Sequence, residues 1–150
     1  MRTFQVSAGG RVDAPVSLVY AIIADYRHHH PRIVPPKYFT RLDVLQGGAG
    51  SGTRTRVEMR ILGRTRVFEQ VVSEPEPGRI VMESNTDGSG VTTFTVEPTG
   101  DASTQVTIAT EITMRPGLQG AVERLVASLL LPRIYKEELS RLAEYAESLV

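Results

Sequence analysis

The sequence predicts an α+β domain: a seven-stranded curved antiparallel sheet wrapped around a long C-terminal helix, with a short helix or helix pair after strand 1. Three observations predict it. The chain opens on a period-two stretch and passes into a helical one. Six strand-like segments joined by short turn-forming links then run from Phe39 to Met114, the pattern of an antiparallel meander. A helical period occupies the chain from Pro116 onward, and that helix must cover the apolar face of the sheet.

The first strand alternates Phe4, Val6, Ala8, Gly10 and Val12 with polar or small residues, so one face is buried. Asp13-Ala14-Pro15 reads as a helix start, with Asp13 as N-cap and Pro15 in the first turn. Val16, Val19, Tyr20 and Ile23 follow at helical spacing. Pro31 and the Pro35-Pro36 pair stop the helix near 25–30. Strands are expected over 39–46, 53–61, 64–73, 79–85, 91–97 and 103–114. Leu62-Gly63 makes a tight hairpin, and Gly47 to Gly52 and Glu74 to Gly78 make loops. In the last helix Leu118, Val122, Leu125 and Leu129 share a face, which Leu139, Leu142 and Ala146 resume. Pro132 should kink or break the helix.

Composition excludes several classes of function. The 150 residues make about one domain, 1–150, with no linker or repeat. There is no Cys, so disulfides and thiolate metal sites are excluded. Lys+Arg and Asp+Glu are both 17, which leaves no basic excess for nucleic acid. The start lacks the charged-then-apolar pattern of a signal peptide. The longest apolar stretch, around Leu125 to Leu131, is far short of the ~20 residues of a membrane span. A cytoplasmic location is therefore expected. Nothing in the pattern specifies an oligomeric state.

Facing follows from the hairpin. With Leu62-Gly63 as its loop, Ile61 pairs with Arg64, Met59 with Arg66, Val57 with Phe68, and Thr55 with Gln70. This face is expected to be the inner one. The same alternation places Ile80, Met82 and Ser84 inside on the next strand. It also places Thr92, Phe94 and Val96 inside, and then Val106, Ile108, Thr110 and Ile112. Glu58, Glu69, Glu83, Glu97 and Glu111 all fall outside. The inner wall so drawn has no carboxylate or His. It does have neutral polar groups at Thr55, Gln70, Ser84, Thr92 and Thr110, with Arg66 near one end. Such a wall suits the orientation of an apolar ligand and is poorly equipped for acid–base catalysis.

Val12-Asp13-Ala14-Pro15 leads into Val19-Tyr20 and a helix end at Asp25-Tyr26. A Gly-rich loop precedes a Thr/Arg-rich strand, and the turn Glu74 to Arg79 and the segment Thr92 to Pro98 come before the long last strand and helix. This set, in this order, resembles the START-like or SRPBCC superfamily, which includes polyketide cyclases, lipid-transfer domains and plant pathogenesis-related allergens. The resemblance covers nearly the whole chain. It implies a helix-grip fold with a cavity for a hydrophobic molecule between sheet and terminal helix; no cofactor is expected. The terminal-helix residues Val122, Leu125 and Leu129 would roof that cavity, and Tyr26, Val57, Met59, Phe68, Met82, Phe94 and Ile108 would line it with the polar groups above. The leading function is binding, transport or sequestration of a lipid, polyketide, isoprenoid or aromatic molecule. The alternative is a polyketide cyclase/dehydratase-like enzyme, in which Arg66 polarises a carbonyl and Tyr26 or His30 moves a proton. Against it stands the missing inner carboxylate.

His28-His29-His30 reads as an exposed, polar helix end, because adjacent helical residues point apart and do not converge on a metal. Arg54, Arg56, Arg60, Arg64 and Arg66 form a local basic cluster that reads as a solvated outer face with Glu58 and Glu69 among them, except that Arg66 tilts inward on this register, toward a ligand carboxylate or carbonyl. A third reading, a protein-interaction module, would use that face.

Overall fold

The computed structural model describes residues 2–150. Seven strands form one antiparallel sheet: β1 Thr3–Val12, β2 Phe39–Gln46, β3 Arg54–Ile61, β4 Arg64–Glu76, β5 Ile80–Asn85, β6 Gly90–Gly100 and β7 Ser103–Thr113. Their order is β1-β7-β6-β5-β4-β3-β2, a meander from β2 to β7 with β1 returning to pair with β7. The helices are α1 Val16–Ala24, α2 His30–Ile33 and α3 Gly117–Ser148. β4 extends three residues past its expected end, across an irregularity in its pairing with β5 between Ser73 and Glu76.

The hairpin register is the expected one, from Ile61↔Arg64 through Thr55↔Gln70. Arg56 stands opposite Glu69 and bonds it at 3.1 Å on the outer face. The interior is filled from β1, β6 and β7 by Phe4, Val6, Val12, Phe94, Val96, Val106 and Ile108. From the other side come Ile22 and Ile23 of α1 and Ile134, Leu139 and Leu142 of α3.

The start of α1 differs from expectation. Pro15 occupies the N-cap position and no side chain caps the helix; Leu18 and Val19 donate to the Pro15 carbonyl. Asp13 instead accepts from Arg11 at 2.8 Å, and its own N–H donates to Glu147 at 3.1 Å, tying the β1–α1 turn to the end of α3. The hydroxyl of Thr104, fully buried on β7, donates to the Ala14 carbonyl at 2.8 Å. Thr104→Val keeps the shape and leaves that carbonyl unmet. It should cost about 1–3 kcal/mol, read from the urea unfolding midpoint.

Pro132 does not break α3, which runs unbroken for 32 residues. Its buried face also differs from the expected one. Ile134, Tyr135, Glu138, Leu139, Leu142 and Ala146 are buried, whereas Leu118, Val122, Leu125 and Leu129 are 81, 52, 61 and 58% exposed. Leu129 to Leu139 is about 2.8 turns at 3.6 residues per turn. The two apolar sets therefore lie on different faces, and Val122, Leu125 and Leu129 do not roof the interior.

A buried acid–base cluster

Four segments, the α1–α2 turn, α2, β5 and α3, bring titratable side chains together on the inner side of the sheet. α1 ends at Ala24, and Asp25 takes an extended conformation. Its carboxylate accepts the N–H groups of Arg27 and His28 at 3.1 and 3.0 Å, which closes a side-chain turn. The Gly47–Gly52 loop docks on this turn: Tyr26 N–H donates to Gly48 O at 2.8 Å and Gly50 N–H to Ala24 O at 3.0 Å. Gly50 has φ +66°, and a Cβ there would collide with Glu74 Oε1. The Gly-rich loop thus holds the helix end that aims Tyr26.

Tyr26 is 1% and His30 2% exposed. Their rings stack at 4.2 Å between centroids, and Phe94 meets the His30 ring edge-on at 5.5 Å. His30 Nδ1 lies 2.6 Å from the Ile23 carbonyl. A carbonyl only accepts, so Nδ1 carries the proton and Nε2 the lone pair. The expectation of an exposed, polar helix end at 28–30 is corrected for His30. His30 is the first residue of α2, ahead of Pro31, and its imidazole is buried.

β5 faces the opposite way from expectation. Its partner on β6 fixes its facing: Val81 pairs with Phe94 and Glu83 with Thr92, both on the inner face. Val81 and Glu83 therefore point inward, and Met82 and Ser84, expected inside, point outward with Thr93 and Val91. Burial agrees, with Val81 at 0% and Glu83 at 8%. The inner wall does carry a carboxylate. Tyr26 donates its hydroxyl to Glu83 Oε2 at 2.5 Å, and His30 Nε2 stands 3.6 Å from the same atom.

Environment sets the protonation of the cluster. Burial raises the Glu83 carboxyl to about 7, opposed by the Tyr26 hydrogen bond. Burial lowers His30 to about 4, so its imidazole is neutral at pH 7. Burial and the Glu83 charge push Tyr26 well above the usual phenol range. Glu138, 3% exposed on α3, is held well above the carboxylate range by burial and by Glu83. A neutral His beside a carboxyl that titrates near 7 is the equipment of general acid–base chemistry.

The other expected residues divide. Thr92 and Thr110 bond each other at 2.9 Å, and Thr110 bonds the Tyr135 hydroxyl. Gln70 donates to Asn85 at 3.0 Å. Thr55 is 1% exposed with no hydrogen-bond partner for its hydroxyl among the described residues. Val57, Phe94 and Ile108 are buried; Met59 and Phe68 are half-buried toward the hairpin tip. Arg66 shares their face but lies past the end of the interior and is exposed, so it does not reach the cluster. Two shallow surface depressions, of about 430 and 250 Å³, include none of Tyr26, His30, Glu83 and Glu138. Among the described residues, no three His, Asp or Glu side chains group to hold a metal, and no helix is long and apolar enough to cross a membrane.

Glu83 and Glu138 escaped the sequence reading. Glu83 belongs to an alternation in which both faces offer apolar residues. Glu138 did carry a signal: it sits four residues from both Ile134 and Leu142, on the buried face of α3.

A curved antiparallel sheet gripping a long C-terminal helix, with a short helical segment after the first strand, defines a START-like helix-grip protein. The family model "Polyketide cyclase / dehydrase and lipid transport" matches residues 1–147, and the chain belongs to that family. No curated protein matches it significantly in sequence. Among solved structures it is similar to the KanY protein, with 30% identity, 98% of this chain and 99% of that chain covered, and a TM-score of 0.84. It is similar in fold to the Zhui aromatase/cyclase from Streptomyces sp. R1128, with 17% identity, 97 and 94% covered, and a TM-score of 0.77. A START superfamily protein from Mycobacterium smegmatis is likewise similar, with 18% identity, 97 and 99% covered, and a TM-score of 0.76. Family and neighbours fit a hydrophobic-ligand or cyclase-like domain.

Proposed function

We propose that this chain binds an apolar small molecule between the sheet and α3 and moves a proton on it, as a polyketide cyclase/dehydratase-like enzyme. The observation that carries this is Glu83, which lies inside beside Tyr26 and His30. The sequence argument against an enzyme was the lack of an inner carboxylate, and β5 supplies one. Glu83 is the base: it takes a proton from the carbon next to a carbonyl while the electron pair moves toward the carbonyl oxygen. Tyr26, donating to Glu83 and stacked on His30, positions it. The family description and the Zhui aromatase/cyclase support this reading.

Binding, transport or sequestration without turnover is the second reading. The apolar wall of Val57, Val81, Phe94 and Ile108 favours it, since it supplies affinity and no chemistry.

Native mass spectrometry of freshly purified protein, with bound material extracted, comes first. Acetylnaphthalene is then incubated with the protein in D2O and its methyl deuteration followed by NMR. Deuteration by the parent, with at least a hundredfold loss in Glu83→Gln, is the enzyme result. Binding without deuteration leaves the carrier. A clean mass and no binding would mean a packed core, with the outer Arg-rich face as the place to look for a partner.

A further inference from the structure

Glu138 projects from the buried face of α3, and its Oε2 atom has no hydrogen-bond partner among the described residues. Glu83, Tyr26 and Tyr135 stand near enough to feel its charge. The influences on its carboxyl are burial and Glu83; no Lys or Arg acts on it. Ionisation there would set a second negative charge beside Glu83 in a water-poor interior, so the neutral acid is the resting form. A neutral carboxylic acid carries an O–H donor, and the neighbours do not take it. Tyr26 donates to Glu83, and the Tyr135 hydroxyl is joined to Thr110, which is joined to Thr92. An apolar side chain at 138 would serve a solid core better, because an unmet buried polar group is costly.

We infer that Glu138 is a ligand-binding residue whose neutral carboxyl donates a hydrogen bond to the carbonyl oxygen of an apolar ketone or aldehyde held between sheet and α3. The inference rests on the interior being the ligand site, as proposed above, and adds the chemistry of the ligand's polar end. It also completes that site. Charge that builds on the carbonyl oxygen when Glu83 removes the neighbouring proton falls on a donor already in place.

The test is titration calorimetry of the whole chain with three probes of one shape: acetylnaphthalene, isopropenylnaphthalene and naphthylethylamine. The ketone should bind about tenfold more tightly than the alkene, the worth of one buried hydrogen bond. Its carbonyl stretch should fall on binding. Glu138→Leu should erase both effects and keep the alkene affinity, and Glu138→Gln, whose amide still donates, should restore them in part. Equal binding of ketone and alkene by the parent, an unshifted carbonyl stretch, or a preference that survives Glu138→Leu would overturn the assignment of Glu138. Tightest binding of the amine would overturn it as well, and would make the two carboxyls a cation site. If none of the three probes binds to folded protein, the interior is not a ligand site and the proposed function falls too.

Discussion

Glu83→Gln is expected to gain about 3 kcal/mol of stability relative to the parent between pH 4.5 and pH 7. The folded protein holds the Glu83 proton up to about 7, whereas the unfolded chain releases it near 4.5. Between those values the native state binds more protons than the unfolded one, so rising pH favours unfolding. The stabilising contribution of the protonated acid is complete below 4.5 and is lost by about pH 7. About 2.5 pH units at about 1.4 kcal/mol each give the figure. Gln has no proton to lose, and its amide oxygen still accepts from Tyr26. His30 works in the opposite direction, since its pKa falls from 6.5 to about 4 and its contribution is lost as pH drops through that range. It is common to both proteins and cancels in the difference. Urea unfolding of both at several pH values measures the effect. Parallel stability curves would show Glu83 to be solvated and the facing of β5 to be wrong.

Phe94→Ala should cost about 3–5 kcal/mol, a large part of the roughly 5–15 kcal/mol that holds such a domain together. The ring is 2% exposed, pairs across the sheet with Val81 and Ile108, and stands edge-on to His30. Truncation leaves a cavity under two strands and releases the imidazole that stacks on Tyr26. Met82→Ala, on the outer face of β5, should cost less than about 1 kcal/mol. Guanidinium unfolding of the pair checks both the size and the face. A larger cost at Met82 than at Phe94 would reverse the inner and outer assignment.

Half of the cluster was hidden in the sequence. Tyr26 and His30 were legible as candidates because they sit where a helix must end before Pro31 and the Pro35-Pro36 pair. Glu83 was not, because a six-residue strand with Ile80 and Met82 on one side and Val81 on the other offers no unambiguous apolar face. Excluding carboxylates from the interior then favoured the wrong side. That rule fails when a buried carboxyl meets a donor, and here the donor is Tyr26, 57 residues away in sequence. The α3 stripe failed differently. Leu118, Val122, Leu125 and Leu129 make a clean helical face, but periodicity reports which residues share a side and not which side meets the sheet.

The sequence by itself determined the element order, the antiparallel meander, the β3–β4 register and the absence of thiol chemistry. Each of these follows from local rules: period, turn residues and composition. Only the tertiary structure decided which face of β5 is inner, which side of α3 is buried, and that Tyr26, His30, Glu83 and Glu138 share one interior. Those choices depend on the fit between distant segments. Pairing of Val81 with Phe94 turns Glu83 inward, and burial of Ile134 and Leu142 carries Glu138 in with them.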